Sequence, residues 1–294
     1  RRHCSVLNLE SGLKTFIIGM GAKMLLANPM GTLWAGMSRY GYETLSCPYA
    51  WLGAFGYSFQ LYFDFAGYSL MAMGLGQMLG LYVPRNFDHP YISGSMAEFW
   101  RRWHMTLGRW FKKYLYFPLG GSRCSFAKTI RNTFVVWAFT GLWHGASWNF
   151  ILWGLYYVLF ILIELLIGKK RIKKIPLVIR HIYNKIVIVV GFGIFYFEDF
   201  GQLGACLKCM FGFGGHGLTD AVLQTSIMTN VFLLVIALIG CFPILELPKR
   251  AMQKSPGAYL TLSVCGTILA AVILIVSSIL LVNATNRPFL YLRF

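Results

Sequence analysis

Two histidines, His104 and His144, stand in tryptophan-rich segments whose other residues suit a membrane. The segments read EFWRRWHMTLGRWFKKYLYFPLGG (Glu98 to Gly121) and GLWHGASWNFILWG (Gly141 to Gly154). An ionisable side chain among residues that favour lipid is costly, so each is a functional candidate by default. What imidazole brings to such a place is proton transfer near neutral pH. The plain alternative is a core histidine satisfied on an aromatic face, and each ring on its own admits both. His3, His89, His181 and His216 lack comparable surroundings.

The elements around the two rings must hold them. Pro84 to Pro90 (PRNFDHP) reads as a loop that delivers the chain to Ser95. Ser95 and Glu98 fit a capping box, in which each side chain satisfies an orphan amide at a helix start. The helix is expected to run from Ser95 to about Phe117, stopping before Pro118 and the turn at Gly120 and Gly121. At about 100° per residue, Phe99, Trp100, Trp103, Leu107, Trp110, Phe111, Tyr114 and Leu115 share one arc. Glu98, Arg101, Arg102, Arg109, Lys112 and Lys113 occupy the other, which makes this an interfacial amphipathic helix. His104 falls in the aromatic arc and is expected to point inward.

His144 has a different setting. Asn132 to Ile167 lies between two basic blocks, Arg123 to Arg131 and Lys169 to Lys174. If both blocks face one side, the chain must enter the membrane and return. Each half is then near or below the length of a full span at about 1.5 Å per residue. The turn marked by Gly145 and Ala146 is expected at depth, where non-helical backbone is tolerated only inside protein or along a cavity. His144 adjoins that turn.

Composition agrees with a membrane setting. The chain is 57% hydrophobic and 17% aromatic but only 13% charged, against about a quarter charged in soluble domains. About six or seven segments qualify as membrane segments by length and apolarity. They lie near Leu13 to Leu33, Tyr49 to Tyr82, Asn132 to Trp143, Trp148 to Ile167, Ile182 to Phe197, Leu223 to Leu245 and Tyr259 to Val282. The second is too long for one straight span and rich in glycine, so it reads either as a bent helix or as two segments in close contact.

The net charge of +17 is concentrated in short basic blocks beside apolar runs, including Lys169 to Lys174 and Lys249 to Lys254. That is the pattern of cytoplasmic loops, and no aromatic-interleaved soluble module points to nucleic acid. The seven cysteines are scattered and read as small buried hydrophobes. Cys206 and Cys209 form a lone CxxC with no second pair or neighbouring histidine, so no metal site is expected. The chain opens at Arg1 without methionine or signal peptide, as expected of a carboxy-terminal fragment whose amino-terminal helices are missing.

Six motifs in order carry a resemblance: QLYFDFAGYS (Gln60 to Ser69), PRNFDHPY (Pro84 to Tyr91), FWRRWH (Phe99 to His104), YLYFPLGGSR (Tyr114 to Arg123), GLWHGASWNFILWG (Gly141 to Gly154) and RPFLYLRF (Arg287 to Phe294). Together they resemble the membrane-bound O-acyltransferase family, closest to its bacterial alginate O-acetylation branch, and the matching end implies an intact carboxy terminus. Leu70 and Lys113 stand where that family usually carries aspartates.

The resemblance implies an all-α, polytopic membrane protein, one membrane-embedded acyltransferase domain over residues 1–294, with interfacial and re-entrant helices around a central tunnel. It implies acyl transfer to hydroxyl groups from a cytoplasmic thioester, acetyl-CoA or another, with no bound cofactor. Partners would be the donor, a polysaccharide or an extracytoplasmic acetyltransferase, and the lipid bilayer of a bacterial cytoplasmic membrane. His144 would be the general base, and His104 would orient substrate or donate to the oxyanion. Trp143, Asn149, Asp64, Gln60, Arg101, Arg102 and Trp103 would line the substrate. Asp64 and Gln60 equally suit polar bonding between helices, and Arg101 and Arg102 an interface anchor. D-alanyl transfer to teichoic acid by the same fold is the near alternative. A polysaccharide transporter or flippase and a non-catalytic scaffold are the rivals from other classes.

Overall fold

A computed structural model of the chain describes residues 5–42, 44–213, 217–244 and 255–283, and among these every regular element is a helix. In chain order they are α1 (Val6–Gly21), a π-helical turn (Ala22–Ala27), α2 (Asn28–Tyr40), α3 (Cys47–Met78), a 3-10 turn (Pro90–Ile92), α4 (Met96–Arg102), α5 (Met105–Phe111) and a second π-helical turn (Lys112–Tyr116). Then follow α6 (Phe126–His144), α7 (Trp148–Ile167), α8 (Lys169–Ile172), α9 (Leu177–Tyr196), α10 (Phe200–Met210), α11 (Ala221–Gly240) and α12 (Pro256–Asn283).

Among the described residues, five helical stretches are long and apolar enough to cross a membrane: Val6–Tyr40, Trp148–Ile167, Leu177–Tyr196, Ala221–Gly240 and Pro256–Val282. The chain is a multi-pass membrane protein. Two of the expected segments are helical but fall outside this set. In α3 the polar residues Ser58, Gln60, Asp64, Ser69 and Gln77 dilute the apolar run, and in α6 Lys128, Arg131 and Asn132 do so. The glycine-rich segment is one continuous helix of 32 residues, not two. The basic block Lys249 to Lys254 and the terminal motif Arg287 to Phe294 lie outside the described residues.

The chain divides into two compact units. One comprises Arg1–Leu33, Phe59–Arg85 and Ile227–Arg293. In it α1 and the second half of α3 meet backbone to backbone. A Cβ added to Gly12 would lie 2.7 Å from the Gly74 carbonyl, and one on Gly19 would lie 2.5 Å from that of Gly67. Small residues permit that approach between membrane helices. At the π-helical turn the Lys23 ammonium donates to the Asp64 carboxylate, both groups buried. A buried charge persists in apolar surroundings when it is paired, so the pair fixes α3 against the turn.

The other unit comprises Trp34–Ser58 and Asn86–Ser226. Its centre is the antiparallel hairpin of α6 and α7. The Ser125 hydroxyl caps α6, accepting from Lys128 N at 3.4 Å, so the helix starts earlier than the apolar run. At about 1.5 Å rise, its 19 residues and the 20 of α7 each reach roughly a full span. Glycines again set the spacing. Cβ atoms on Gly141 and Gly154 would lie 2.6 and 2.7 Å from the carbonyls of Phe150 and Trp137. Tyr156 and Tyr157 of α7 donate to the Val187 and Ile188 carbonyls of α9, each at 3.1 Å.

Helix α4 docks on this hairpin by its start. Glu164 of α7 accepts from the backbone N–H groups of Met96 and Ala97, at 2.6 and 3.0 Å. Carboxylates are favourable at a helix N-terminus, where unpaired N–H groups gather. The Ser95 cap forms as expected, accepting from Glu98 N at 3.2 Å. Glu98 reaches back to Gly94 N rather than to Ser95, at 3.3 Å. The expected single helix from Ser95 to Phe117 does not form. It breaks after Arg102, resumes at Met105 and ends in a π-helical turn.

The buried pair predicts a definite mutational pattern. Asp64→Leu alone in the full-length protein should cost about 3–5 kcal/mol, since it strands a buried ammonium. Lys23→Met in the same chain should recover most of that loss, read as the melting temperature of detergent-solubilised protein. A harmless single substitution, or a double variant no better than the single, would contradict this role.

Candidate functional site

The break between α4 and α5 shapes the first half of the site. Trp103 is extended (φ −101°, ψ 131°) and His104 is left-handed (φ 45°, ψ 52°). Left-handed backbone at a residue other than glycine costs on the order of 1–3 kcal/mol and persists only where its surroundings impose it. Here the loop segment 86–88 does so. Met105 N donates to the Asn86 carbonyl at 2.9 Å, and Asp88 N donates to the Arg102 carbonyl at 2.9 Å. The Asn86 side-chain oxygen accepts from Thr106 N at 3.2 Å, from the Thr106 hydroxyl at 2.9 Å, and lies 3.1 Å from His104 Nδ1. Backbone groups freed at the two helix ends are thus taken up by one loop. The other non-glycine residue with positive φ among those described, His89 (φ 46°), lies in the same loop region.

The second half is the tip of the α6–α7 hairpin. His144 is the last residue of α6, and the chain turns at Gly145, Ala146 and Ser147 before α7 begins. Gly145 (φ 157°) leaves no room for a side chain, because a Cβ would lie 2.7 Å from the Phe150 ring. The His144 ring is enclosed by aromatic neighbours: Trp143 and Trp153 with centroids at 5.0 Å, Phe195 at 5.1 Å and Phe150 at 6.2 Å. Trp143 also meets His104, at 6.0 Å, with its ring edge-on. One indole therefore contacts both imidazoles.

Both imidazoles are held neutral. Burial pushes His104 down to about 3, with the neighbouring His144 adding to the shift. Burial alone pushes His144 down to about 4. At neutral pH each ring therefore carries a lone pair and can take up a proton. Neither lies within the five span-length helices.

The remaining expected residues separate. Asn149 is buried beside this cluster, its Nδ2 donating to the Phe195 carbonyl at 2.7 Å while its Oδ1 has no partner among the described residues. Trp103 turns into the core, between Phe99 at 5.4 Å, Phe87 at 5.1 Å and Phe192 at 5.0 Å. Arg102 is engaged locally, bonding the Asp88 carbonyl and carboxylate at 3.1 and 3.2 Å and Glu98 at 3.1 Å. Arg101, one residue away, lines a cavity of about 740 Å³ with Lys169, Lys170, Arg171 and Arg180. Gln60 and Asp64 belong to the other unit, where Gln60 packs against Gly31 and Asp64 pairs with Lys23.

A model of the membrane-bound O-acyltransferase family matches residues 32–200, which is more than half of the chain. The chain belongs to that family. Both imidazoles, and the hairpin and the break that carry them, fall inside the matched stretch. The probable alginate O-acetylase AlgI of Azotobacter vinelandii is 39% identical over 211 residues, 71% of this chain and 42% of the relative. The peptidoglycan O-acetyltransferase of Helicobacter pylori is 44% identical over 151 residues, 50% of this chain and 28% of the relative. The teichoic acid D-alanyltransferase of Streptococcus thermophilus is 33% identical over 169 residues, 51% of this chain and 38% of the relative. The chain spans about half the length of the alginate relatives it matches.

Asn86 and Trp153 stand in the quoted motifs but carry no role on sequence grounds. Asn86 had one signal: it sits in PRNFDHP, a loop too polar and proline-bound for the membrane around it. For Trp153 there was none, since a tryptophan inside an apolar helix reads as packing.

The turn glycine yields a prediction. Gly145→Ala should push on the Phe150 ring and cost about 1–3 kcal/mol of stability, and Phe150→Leu in the same chain should return part of it. Thermal melting of the full-length protein measures both. Melting unchanged by Gly145→Ala would show that the turn is not as tight as described.

Proposed function

We propose that the chain is the histidine-bearing part of a membrane O-acyltransferase, acting as one membrane-embedded domain. Its reaction moves acetyl groups from a cytoplasmic thioester, acetyl-CoA in the simplest case, for O-acetylation of a cell-envelope or exported polysaccharide. The observation that carries this is two neutral imidazoles flanking Trp143 in a chain of this family. The alginate and peptidoglycan acetyl-transfer relatives support the choice of acyl group and acceptor.

In this reading the hydroxyl oxygen attacks the thioester carbonyl carbon while the His144 imidazole takes the hydroxyl proton. The tetrahedral intermediate then collapses, the C–S bond breaks, and the imidazolium returns the proton to the departing thiolate. The products are an ester and a thiol. A neutral imidazole can take that proton as the oxygen attacks, and His144 stands at the hairpin tip among Trp143, Trp153 and Phe195. The aromatic walls keep water from competing for the acyl group. Asn149 Oδ1, buried without a partner among the described residues, suits accepting from the substrate. Arg101 and the basic wall of its cavity suit the phosphates of a donor. The setting is a bacterial cytoplasmic membrane, with an extracytoplasmic acetyltransferase or the polymer itself as the receiving partner.

D-alanyl transfer to teichoic acid is the second reading, favoured by the Streptococcus relative. Product chemistry separates the two, because mild base releases acetate in one case and D-alanine in the other.

His144→Ala in the full-length protein should reduce ester-linked acetate in isolated envelope material to background, with expression and membrane insertion intact. General base catalysis contributes about 10²- to 10⁴-fold, and His144→Gln should fail similarly because it cannot take the proton. His104→Gln should be milder. Wild-type acetate in a well-expressed His144→Ala strain would move the assignment to a transporter or scaffold.

The pH profile gives an independent check. A base held neutral by burial stays active until the pH falls through its own lowered value, so the acid limb of the transfer rate should lie near pH 4. A limb near pH 6.5, the ordinary histidine value, would contradict an enclosed His144.

A further inference from the structure

We infer that Asn86 is a positioning residue that fixes His104 as its Nδ1–H tautomer, making Nε2 a hydrogen-bond acceptor. The inference rests on the acyl-transfer reading for its consequence, but not for its geometry.

The contacts of the Asn86 amide fix its orientation. Its side-chain atom facing Thr106 receives a backbone N–H at 3.2 Å. A backbone N–H only donates, so that atom is the oxygen and not the amide nitrogen. The same oxygen lies 3.1 Å from His104 Nδ1. An amide oxygen only accepts, so Nδ1 supplies the proton. A neutral imidazole has one N–H, and Nε2 is left with the lone pair.

Two further contacts hold the Asn86 amide in this orientation. The Thr106 hydroxyl donates to the same oxygen at 2.9 Å, and the Asn86 carbonyl accepts from Met105 N at 2.9 Å. Asn86 thus grips the chain on the helical side of His104 by backbone and side chain together, and it is itself buried. The left-handed backbone at His104 (φ 45°) directs the ring at this oxygen, where a continued helix would carry it elsewhere. The charged neighbours Asp88 and Arg102 are paired with each other at 3.2 Å, and among the described residues the field of His144 reaches the ring.

The consequence changes what His104 does. An acceptor Nε2 cannot donate to a developing oxyanion while the ring is neutral. It can accept from a hydroxyl or an amide N–H, so His104 orients the incoming group by receiving its hydrogen.

The test uses the full-length protein in lipid nanodiscs with ¹⁵N-labelled histidine, the His104 signals being assigned by comparison with His104→Gln. Long-range ¹⁵N–¹H spectra at pH 7 should show His104 as the Nδ1–H form. Asn86→Leu should abolish that preference and lower kcat by about 10- to 100-fold with KM for the donor little changed. Asn86→Asp keeps an oxygen for Nδ1–H and should retain the tautomer. Its added negative charge favours the imidazolium, so the acid limb of its rate profile should move to higher pH. An Nε2–H tautomer in the wild-type protein would overturn the inference, as would an unchanged tautomer in Asn86→Leu. If Asn86→Leu does not fold, the wild-type and Asn86→Asp spectra decide. The spectra do not depend on transfer, so a protein with the Nδ1–H form but no acyltransferase activity would refute the functional reading and leave this assignment standing.

Discussion

Backbone polar groups must find partners wherever a helix ends away from water, and the site depends on that constraint. Breaking a helix among tryptophans strands N–H and C=O groups that neither lipid nor aromatic rings can satisfy. At Trp103 and His104 the break survives because Asn86 and Asp88 supply the missing partners from a loop. At the Gly145 turn, Gly145 N donates to the Leu142 carbonyl and Phe150 N to that of Ser147. Each interruption leaves a histidine at a helix terminus, where its ring is held by more than side-chain packing.

Buried ionisable groups are handled in different ways along the described residues. Lys23 and Asp64 are charged groups that meet as a pair, and the pair joins two segments of one unit. His104 and His144 instead stay neutral, their pKa values lowered by burial. Neutrality is what a general base requires, and it removes most of the cost of placing imidazole among rings. Arg101 and Arg102 show the same division between use and support at the surface. Arg102 is occupied by Asp88 and Glu98 next to the break, while Arg101 opens onto the basic cavity.

Much of this was legible in the residues. Helical class and membrane character followed from apolar length, and the hairpin from two apolar runs around Gly145. His144 stood out as an ionisable group beside a membrane turn and inside a matching motif. The amphipathic pattern from Glu98 to Leu115 was also present, but it concealed the break. Side-chain periodicity continues across Trp103 and His104, and only the contact with Asn86, 18 residues earlier in the chain, shows that the helix stops. Asp64 read equally as site residue or helix contact, and the choice depended on Lys23, 41 residues away. What the sequence hid were pairings between distant residues, which no local pattern carries.

In the proposed reaction the broken helix and the hairpin tip present two neutral imidazoles to one reacting carbonyl. A cryo-electron microscopy map of the full-length protein with a non-hydrolysable thioether analogue of the acyl donor tests it most directly. The account predicts the analogue's carbonyl beside Trp143, with the His144 imidazole within about 3–4 Å of the carbonyl or joined to it through one water, and His104 on the same cavity wall. A carbonyl bound elsewhere, with neither imidazole on its walls, would contradict it.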